Sequence, residues 1–309
     1  MGYDNSPVGY ANPDAVTQIA NGLSTTSLTY DNDGNLISSG NGTATTTYTY
    51  DYANRLIALF ASGATTSYGY DAFGARVLQT GTTTTTFYPF KWYSVASSTG
   101  TGAKYSTTTS YMFNGDTLLA TVDQQLASGV ATGTAKTRYI HSDHLGSTNV
   151  VTDENDALVQ TLDYFPYGAT RVSDATSTKE KRQFIGQFAD DGGLSFLSAR
   201  FYNPTQGQFL TEDPVFWSKQ SLSDPQSLNT YSYSSDNPVT KSDTSGLKVE
   251  LVSRPWLQIG QLTIGEHTFF SVTPDQPNQI NISGVPSGTT QFTFGAFPSG
   301  FPLWGVALK

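Results

Sequence analysis

The dipeptide Tyr-Asp stands at Tyr30-Asp31, Tyr50-Asp51 and Tyr70-Asp71, 20 residues apart each time. A fixed period of that length dictates a repeated supersecondary unit before any other property of the chain is considered. Ahead of two of the dipeptides, Tyr48-Thr49-Tyr50 and Tyr68-Gly69-Tyr70 alternate by two, which places both tyrosines of each pair on one face of a strand. Thr45, Thr46 and Thr47 suit the same extended chain. The dipeptides open the stretches YDNDGNL, YDYANRL and YDAFGAR, in which Asn32-Asp33-Gly34-Asn35 and Phe73-Gly74 supply turn chemistry. Leu36-Ile37, Leu56-Ile57 and Val77-Leu78 then begin a returning strand. Each unit therefore reads as a β-hairpin in which Asp accepts backbone N–H groups at the turn and Tyr packs flat against the preceding hairpin. These residues are scaffold rather than catalytic or sugar-binding groups.

One hairpin cannot bury its own apolar face, so successive units must pair edge to edge into a winding antiparallel sheet, with Tyr30, Tyr50 and Tyr70 in equivalent positions. Three clear repeats are too few to close a shell, and an open trough is expected. Beyond residue 81 the period loosens: Gly81 to Phe87 is rich in threonine, Ser94 to Tyr105 reads as a Ser/Gly/Thr loop, and Gln124 to Thr137 is a stretch of small residues. Strands show again at Tyr111-Met112-Phe113, Leu118 to Val122 and Asn149-Val150-Val151. Helical periodicity is scarce, its best candidates being Ser218 to Leu222 and Ser195 to Arg200. The class is mainly β.

Composition excludes several functions. A net charge of -9 with 16 Lys plus Arg spread thinly leaves no basic stripe for phosphates, which argues against a nucleic-acid partner. Zero cysteines rule out a disulfide scaffold, a Cys-ligated zinc site and a Cys nucleophile. No window nears 18 consecutive apolar residues, so no membrane span is expected, and MGYDNSPVGY carries no export signal. The abrupt ends, at Tyr3-Asp4 and Leu303-Trp304-Gly305, lead us to expect a fragment.

Four blocks between residues 138 and 247 follow in order: RYIHSDHLGSTNVVTDENDALV, LDYFPYGATR, QFIGQFADDGGLSFLSARFYNPTQGQFLTEDP and NTYSYSSDNPVTKSDTSGL. They resemble the core segment that closes the repeat region of RHS/YD-repeat proteins, and with the Tyr-Asp units the resemblance covers about four-fifths of the chain. That family includes bacterial polymorphic toxins, toxin-complex C components and teneurins. The resemblance implies three parts: a YD-repeat sheet over 1–137, a core segment over 138–247 that plugs a curved β-shell, and a variable C-terminal β domain over 248–309. It implies a secreted or cell-surface, bacterial protein whose own C-terminal domain is cargo, with upstream repeats and secretion machinery as further partners and with no cofactor. The alternative is a passive structural or adhesive β-protein without self-cleavage.

Residue chemistry agrees in places. Gly168, Gly186, Gly192, Gly193 and Gly207 punctuate short aromatic strands, as a tightly curved sheet requires. Phe165, Tyr167, Phe184, Phe196, Phe201 and Tyr202 are expected to bury against the repeat sheet. Arg200-Phe201-Tyr202-Asn203-Pro204 reads as a strand with alternating outward and inward side chains. A buried Arg200 needs a carboxylate, for which Asp213 and Asp243 are the candidates.

Self-cleaving members of the family carry two Asp-Pro-x-Gly boxes and are cut after the hydrophobic residue of the second. Here the second box is Asp243-Thr244-Ser245-Gly246-Leu247, with Thr244 in place of proline. The first is Asp213-Pro214-Val215-Phe216 or, as the alternative, Asp224-Pro225-Gln226-Ser227, neither with the glycine. The resemblance thus implies Asp213 and Asp243 as the catalytic pair, Arg200 as the cation that keeps one of them ionised, and the bond between Leu247 and Lys248 as the cleavage site. Such a chain is at most a single-turnover aspartyl protease acting on itself. His141, Asp143 and His144 read as structural groups near a turn rather than metal ligands, because strand alternation divides them between two faces. In 248–309, KVELVSRPW, GQLTIGEHTFFSVTP, QINISGV and TQFTFGAF read as strands, with Glu266, His267 and Asp275 as weak acid–base candidates.

Overall fold

The structure describes residues 14–22, 24–99, 105–176, 180–214 and 228–247, together with the backbone of short strands between 250 and 307. In this computed structural model fifteen strands pair in chain order into one antiparallel sheet. They are β1 (Gln18–Asn21), β2 (Ser24–Tyr30), β3 (Leu36–Gly40), β4 (Thr45–Tyr50), β5 (Leu56–Ala61), β6 (Ala64–Tyr70), β7 (Arg76–Thr80) and β8 (Thr84–Phe90). The sheet continues through β9 (Tyr93–Ser98), β10 (Tyr105–Asn114), β11 (Thr117–Ala127), β12 (Val130–Ser142), β13 (Thr148–Asp153), β14 (Leu158–Tyr164) and β15 (Thr170–Ala175). The outermost strands, β1 and β15, do not pair, so the sheet is an open strip and not a barrel.

The Tyr-Asp units form the hairpins β2–β3, β4–β5 and β6–β7. In each turn Asp Oδ1 accepts the N–H groups two and four residues on: Asp33 and Asn35 for Asp31, Ala53 and Arg55 for Asp51, Phe73 and Ala75 for Asp71, all at 2.8–3.0 Å. The fourth residue adopts a left-handed conformation, which is why Gly34, Asn54 and Gly74 stand there. The same five-residue loop recurs without the dipeptide at Asp143 to Ser147, Asp153 to Ala157 and Phe165 to Ala169. Each repeat tyrosine donates its hydroxyl hydrogen to a carbonyl fourteen residues back: Tyr30 to Val16 at 3.0 Å, Tyr50 to Leu36 at 3.0 Å and Tyr70 to Leu56 at 2.6 Å. At each of these tyrosines the pairing slips by one residue, and such bulges sharpen the local twist and bend of a strand.

Residues 81–99 and 105–137 stay within the sheet despite their irregular sequence. β9 takes up Ser94 to Ser98 of the stretch read as a Ser/Gly/Thr loop, and the long β11–β12 hairpin takes up Gln124 to Thr137. Tyr88 is buried in the position held by Leu28, Tyr48 and Tyr68, so the 20-residue period persists in the packing. β12 crosses the position between residues 137 and 138, so repeat and core-type sequence meet inside one strand.

Residues 180–214 and 228–247 lie on the apolar face of the strip and carry a second sheet of β16 (Phe188–Ala189), β17 (Ser195–Leu197), β18 (Arg200–Asn203) and β19 (Gln208–Phe209). Leu194, Phe196, Phe201 and Leu210 pack with Leu28, Leu36, Tyr48, Leu56, Leu59 and Tyr68, while Phe188 joins Tyr88, Tyr111, Ile140 and Val151. Backbone bonds fasten the two layers: Leu36 N–H to Leu210 O at 2.9 Å and Thr148 N–H to Gln183 O at 3.0 Å.

Several expectations need correction. The Ser195–Arg200 segment is strand and turn, not helix, because its neighbours supply sheet partners on both sides. Arg200, Phe201 and Tyr202 are all buried instead of alternating, since the second sheet is covered on both faces. Phe184, Phe196, Phe201 and Tyr202 are buried and Tyr167 is half-buried, but Phe165 is 53% exposed because it opens a hairpin turn at the rim. Ser218 to Leu222 lies outside the described residues. Farther on, β20 (Glu250–Pro255), β23 (Glu266–Val272), β24 (Phe292–Gly295) and β25 (Gly305–Ala307) pair in that order, and β21 (Gln258–Ile259) pairs with β22 (Leu262–Thr263). QINISGV lies outside the described residues.

Arg76 occupies the place that Leu36 and Leu56 hold in the earlier units, and it is buried. It forms an ion pair with Asp190 of the overlying layer, both side chains 2% exposed, amid the rings of Tyr68, Tyr88, Phe188 and Phe196. Removing one partner strands a buried charge. Arg76→Met is therefore expected to cost about 3–5 kcal/mol in urea unfolding, and Arg76→Met with Asp190→Leu to recover most of that loss. A single variant costing under about 1 kcal/mol would contradict this packing.

Candidate functional site

Arg200 begins β18, directly after a turn in which Ser198 has positive φ. Its guanidinium lies over the Phe209 ring, 3.7 Å from the centroid, and all three nitrogens are engaged. Nε donates to Gly246 O at 2.5 Å, Nη1 to Thr230 O at 3.0 Å and Nη2 to Asp213 Oδ2 at 3.2 Å. Asp243 Oδ2 stands 3.9 Å from Nη2. Arg200, Asp213 and Asp243 are each less than a tenth exposed. The three residues expected to act together therefore do meet, and Arg200 contacts both carboxylates.

The second-box segment is held against the β17–β18 turn. Ala199 N–H donates to Ser245 O at 3.0 Å, and Gln187 Nε2 donates to Thr244 O at 3.1 Å. Gly246 has φ +67°, and a Cβ there would lie 2.4 Å from Leu197 O, so only glycine lets the segment approach this closely. Asp243 Oδ1 accepts from Ser245 N–H at 3.3 Å and from Ser245 Oγ at 3.1 Å. Ser245 Oγ is 3.0 Å from Leu247 O and accepts the Leu247 N–H at 3.1 Å.

Burial pushes the Asp243 carboxyl up to about 6, with the Asp213 charge adding to the rise while Arg200 and the Ser245 hydrogen bonds oppose it. Arg200 sits nearer to Asp213 than to Asp243, so its charge offsets the burial of Asp243 only in part. The site thus sets one aspartate against a fixed cation and a second whose carboxyl pKa is raised, next to a clamped peptide backbone.

Leu247 is half-buried at the end of this segment, whereas Lys248 and the alternative Asp224 lie outside the described residues. His141 Nε2 contacts Thr152 Oγ1 at 3.2 Å and His144 Nε2 contacts Val239 O at 2.8 Å, while Asp143 caps its turn by accepting from Leu145 and Ser147. Asp143 is a turn residue and not the strand neighbour of His141 on one face. Glu266 and His267 lie on β23, where only the backbone is described, and Asp275 is outside the described residues. Sequence reasoning missed Ser245, Thr230 and the Phe209 platform. The only available signal was the hydroxyl two residues after Asp243. A cleft of about 430 Å³ elsewhere, lined in part by Thr66, Thr84, Thr86, Tyr88 and Phe188, brings no second carboxylate to Asp190.

Residues 130–239 match the family model Teneurin YD-shell, in agreement with the resemblance to RHS/YD-repeat proteins. Double-stranded DNA deaminase toxin A of Burkholderia cenocepacia is 30% identical over 43% of this chain and 9% of its own length. Toxin subunit YenC1 of Yersinia entomophaga is 29% identical over 36% of this chain and 11% of its own. tRNA nuclease WapA of Bacillus subtilis is 31% identical over 38% and 5%. Among solved structures, the TcdB2-TccC3 crystal structure superposes with a TM-score of 0.56 over 72% of this chain and 14% of that one, at 17% identity. The Photorhabdus luminescens Tc holotoxin pore gives 0.55 over 72% and 13%, at 18% identity. The fold is that of these toxin shells, and the chain spans no more than 14% of the length of any of these five.

Because the fold raises the Asp243 pKa above its ordinary value, ionising this group costs stability. That contribution is favourable below the unfolded-state pKa and is lost as pH rises towards about 6. Followed by carbon NMR, the Asp243 carboxyl is expected to titrate with a midpoint near 6. A midpoint in the ordinary aspartate range, about 4, would contradict its burial beside Asp213.

Proposed function

We propose that the chain is a section of a secreted or cell-surface YD-repeat shell that holds the polypeptide following Leu247 and separates itself from it by hydrolysing the bond between Leu247 and Lys248. In this reading 1–137 is the repeat sheet, 138–247 is the core segment, which continues that sheet through Ala175 and covers it with residues 180–214 and 228–247, and 248–309 is the variable domain carried as cargo, in association with other toxin components or further repeats. The observation that carries the proposal is Arg200, which contacts Asp213 and Asp243 while its Nε grips the backbone one residue before Leu247.

The chemistry uses the two carboxyl groups in different protonation states. Asp213, kept ionised by Arg200, takes a proton from water as the water oxygen bonds to the Leu247 carbonyl carbon. Asp243, neutral, supplies a proton toward the carbonyl oxygen. When the tetrahedral intermediate collapses, the oxygen returns its proton to Asp243, the bond to the Lys248 nitrogen breaks, and Asp213 passes its proton to that nitrogen. The products are a Leu247 carboxyl terminus and a Lys248 amine, with both aspartates restored.

The alternative is a passive structural or adhesive β-protein. Thr244 in the proline position and the hydrogen bonds that satisfy Asp243 within its own turn favour it.

Intact-mass spectrometry under denaturing conditions decides between them. Self-cleavage predicts two species, one ending at Leu247 and one beginning at Lys248, and a loss of about 10²-fold or more in rate for Asp213→Asn or Asp243→Asn. Since Asp243 must carry a proton, the rate should halve near pH 6 and fall about tenfold per further pH unit. A parent that remains a single intact species would establish the passive reading.

A further inference from the structure

Asp243 reaches toward the Leu247 carbonyl through another side chain. The Ser245 hydroxyl lies 3.1 Å from Asp243 Oδ1 and 3.0 Å from Leu247 O, and it already accepts the Leu247 N–H at 3.1 Å. A serine hydroxyl has one hydrogen to give and two lone pairs to fill. With one lone pair taken by Leu247 N–H, a single lone pair and a single hydrogen remain for two oxygens, Asp243 Oδ1 and Leu247 O.

That count makes the direction of the hydroxyl depend on its neighbour. When Asp243 is ionised, the serine hydrogen is drawn to the carboxylate and the Leu247 carbonyl receives nothing from it. When Asp243 is protonated, its O–H fills the remaining serine lone pair and the serine hydrogen turns to Leu247 O. We infer that Ser245 is a catalytic residue of the self-cleavage reaction, relaying the Asp243 proton to the scissile carbonyl and polarising that carbonyl only when the acid is loaded. The inference rests on the hydrolytic reading above and adds to it a hydroxyl that neither of the two Asp boxes was expected to supply.

The relay conserves every atom. As water oxygen bonds to the Leu247 carbon and its proton goes to Asp213, the Ser245 hydrogen moves to Leu247 O and the Asp243 proton moves to Ser245 Oγ. On collapse of the intermediate the two protons return along the same path, and the bond to Lys248 nitrogen breaks with the proton from Asp213. The surrounding groups fix the geometry this requires. Arg200 Nε holds Gly246 O, Ala199 N–H holds Ser245 O, and Gly246 admits no side chain, so the two residues before the hydroxyl's carbonyl partner have little room to turn away.

A purely structural reading gives the hydroxyl no more than the closing of a turn between residues 245 and 247. The two are separated by time courses of freshly synthesised full-length chain, made by cell-free translation at several pH values and quenched into denaturing electrophoresis. Relay predicts that Ser245→Ala slows cleavage about 10²-fold or more while the uncleaved chain still melts in one cooperative transition, lowered only by the few hydrogen bonds lost. It predicts that Ser245→Thr, which keeps the hydroxyl, recovers most of the rate, and that the loss of rate above pH 6 seen in the parent is weakened in Ser245→Ala. Cleavage of Ser245→Ala at the parent rate while Asp243→Asn is inert overturns the relay alone. Equal slowing of the alanine and threonine variants also overturns it, in favour of a turn role. A parent that stays intact overturns the hydrolytic reading and the relay with it.

Discussion

The structure depends on a hydrogen bond that each repeat makes to the one before it. A lone hairpin with one apolar face has nothing to hold it in register with its neighbour beyond the sheet ladder. Here the tyrosine of each Tyr-Asp unit reaches back to a carbonyl at the start of the preceding returning strand, or two residues ahead of it for Val16: from Tyr30 to Val16, Tyr50 to Leu36 and Tyr70 to Leu56. The fifth residue of the turn adds a forward link: Asn35 Nδ2 donates to Asn54 Oδ1 and Arg55 Nη1 to Asp71 O. The dipeptide therefore joins a turn, which Asp closes, to an inter-unit clamp, which Tyr closes. Tyr164, reaching Thr148 O at 3.0 Å, shows the same device within the segment that matches the shell family.

A strip built this way has one apolar face to cover, and the chain covers it with its own residues 180–214 and 228–247. That layer carries more than apolar matter. Arg182 lies over Phe188, 4.0 Å from the ring centroid, and reaches Lys91 O, while Arg76 rises from the sheet to Asp190. Glu180 is buried, and its carboxyl pKa is pushed upward by that burial despite the N–H groups of Lys181 and Arg182 that it accepts. Buried charges are costly unless their partners are fixed, so these groups tie the layer to one position on the strip. Arg200 differs from the others in what its partners adjoin. Two carboxylates and the backbone of residues 245 to 247 meet there, which turns a structural cation into the centre of a site with chemical potential.

Much of this was legible in sequence, for physical reasons that also explain the failures. The three hairpins could be read because turn, strand and tyrosine recur at one spacing and the strands have one dry face. Between residues 81 and 137 only Tyr111 to Phe113 and Leu118 to Val122 were legible as strands, because elsewhere threonine and serine serve both faces and erase the contrast on which period-two reading relies. The 195–203 segment misled in another way: residues buried on both faces show no alternation at all. Arg200 and its two aspartates were reachable from a simple rule, that a buried guanidinium needs carboxylates. The role of Ser245 was not, since its importance lies in three distances that only the folded turn sets. Arg76 stood in view as the departure from leucine at positions 36 and 56, and its partner Asp190 came from a segment 114 residues away.

The central claim is that the tyrosine hydroxyls couple neighbouring hairpins into one cooperative strip. Native-state hydrogen exchange on Tyr50→Phe, which removes one hydroxyl and keeps the ring, tests it most directly. Coupling predicts that protection falls by roughly fivefold, matching a lost hydrogen bond of about 1 kcal/mol, not only at β4 but across β2–β3, β5 and β6 together. A loss of protection confined to the amides beside residue 50, with the neighbouring hairpins unchanged, would contradict it.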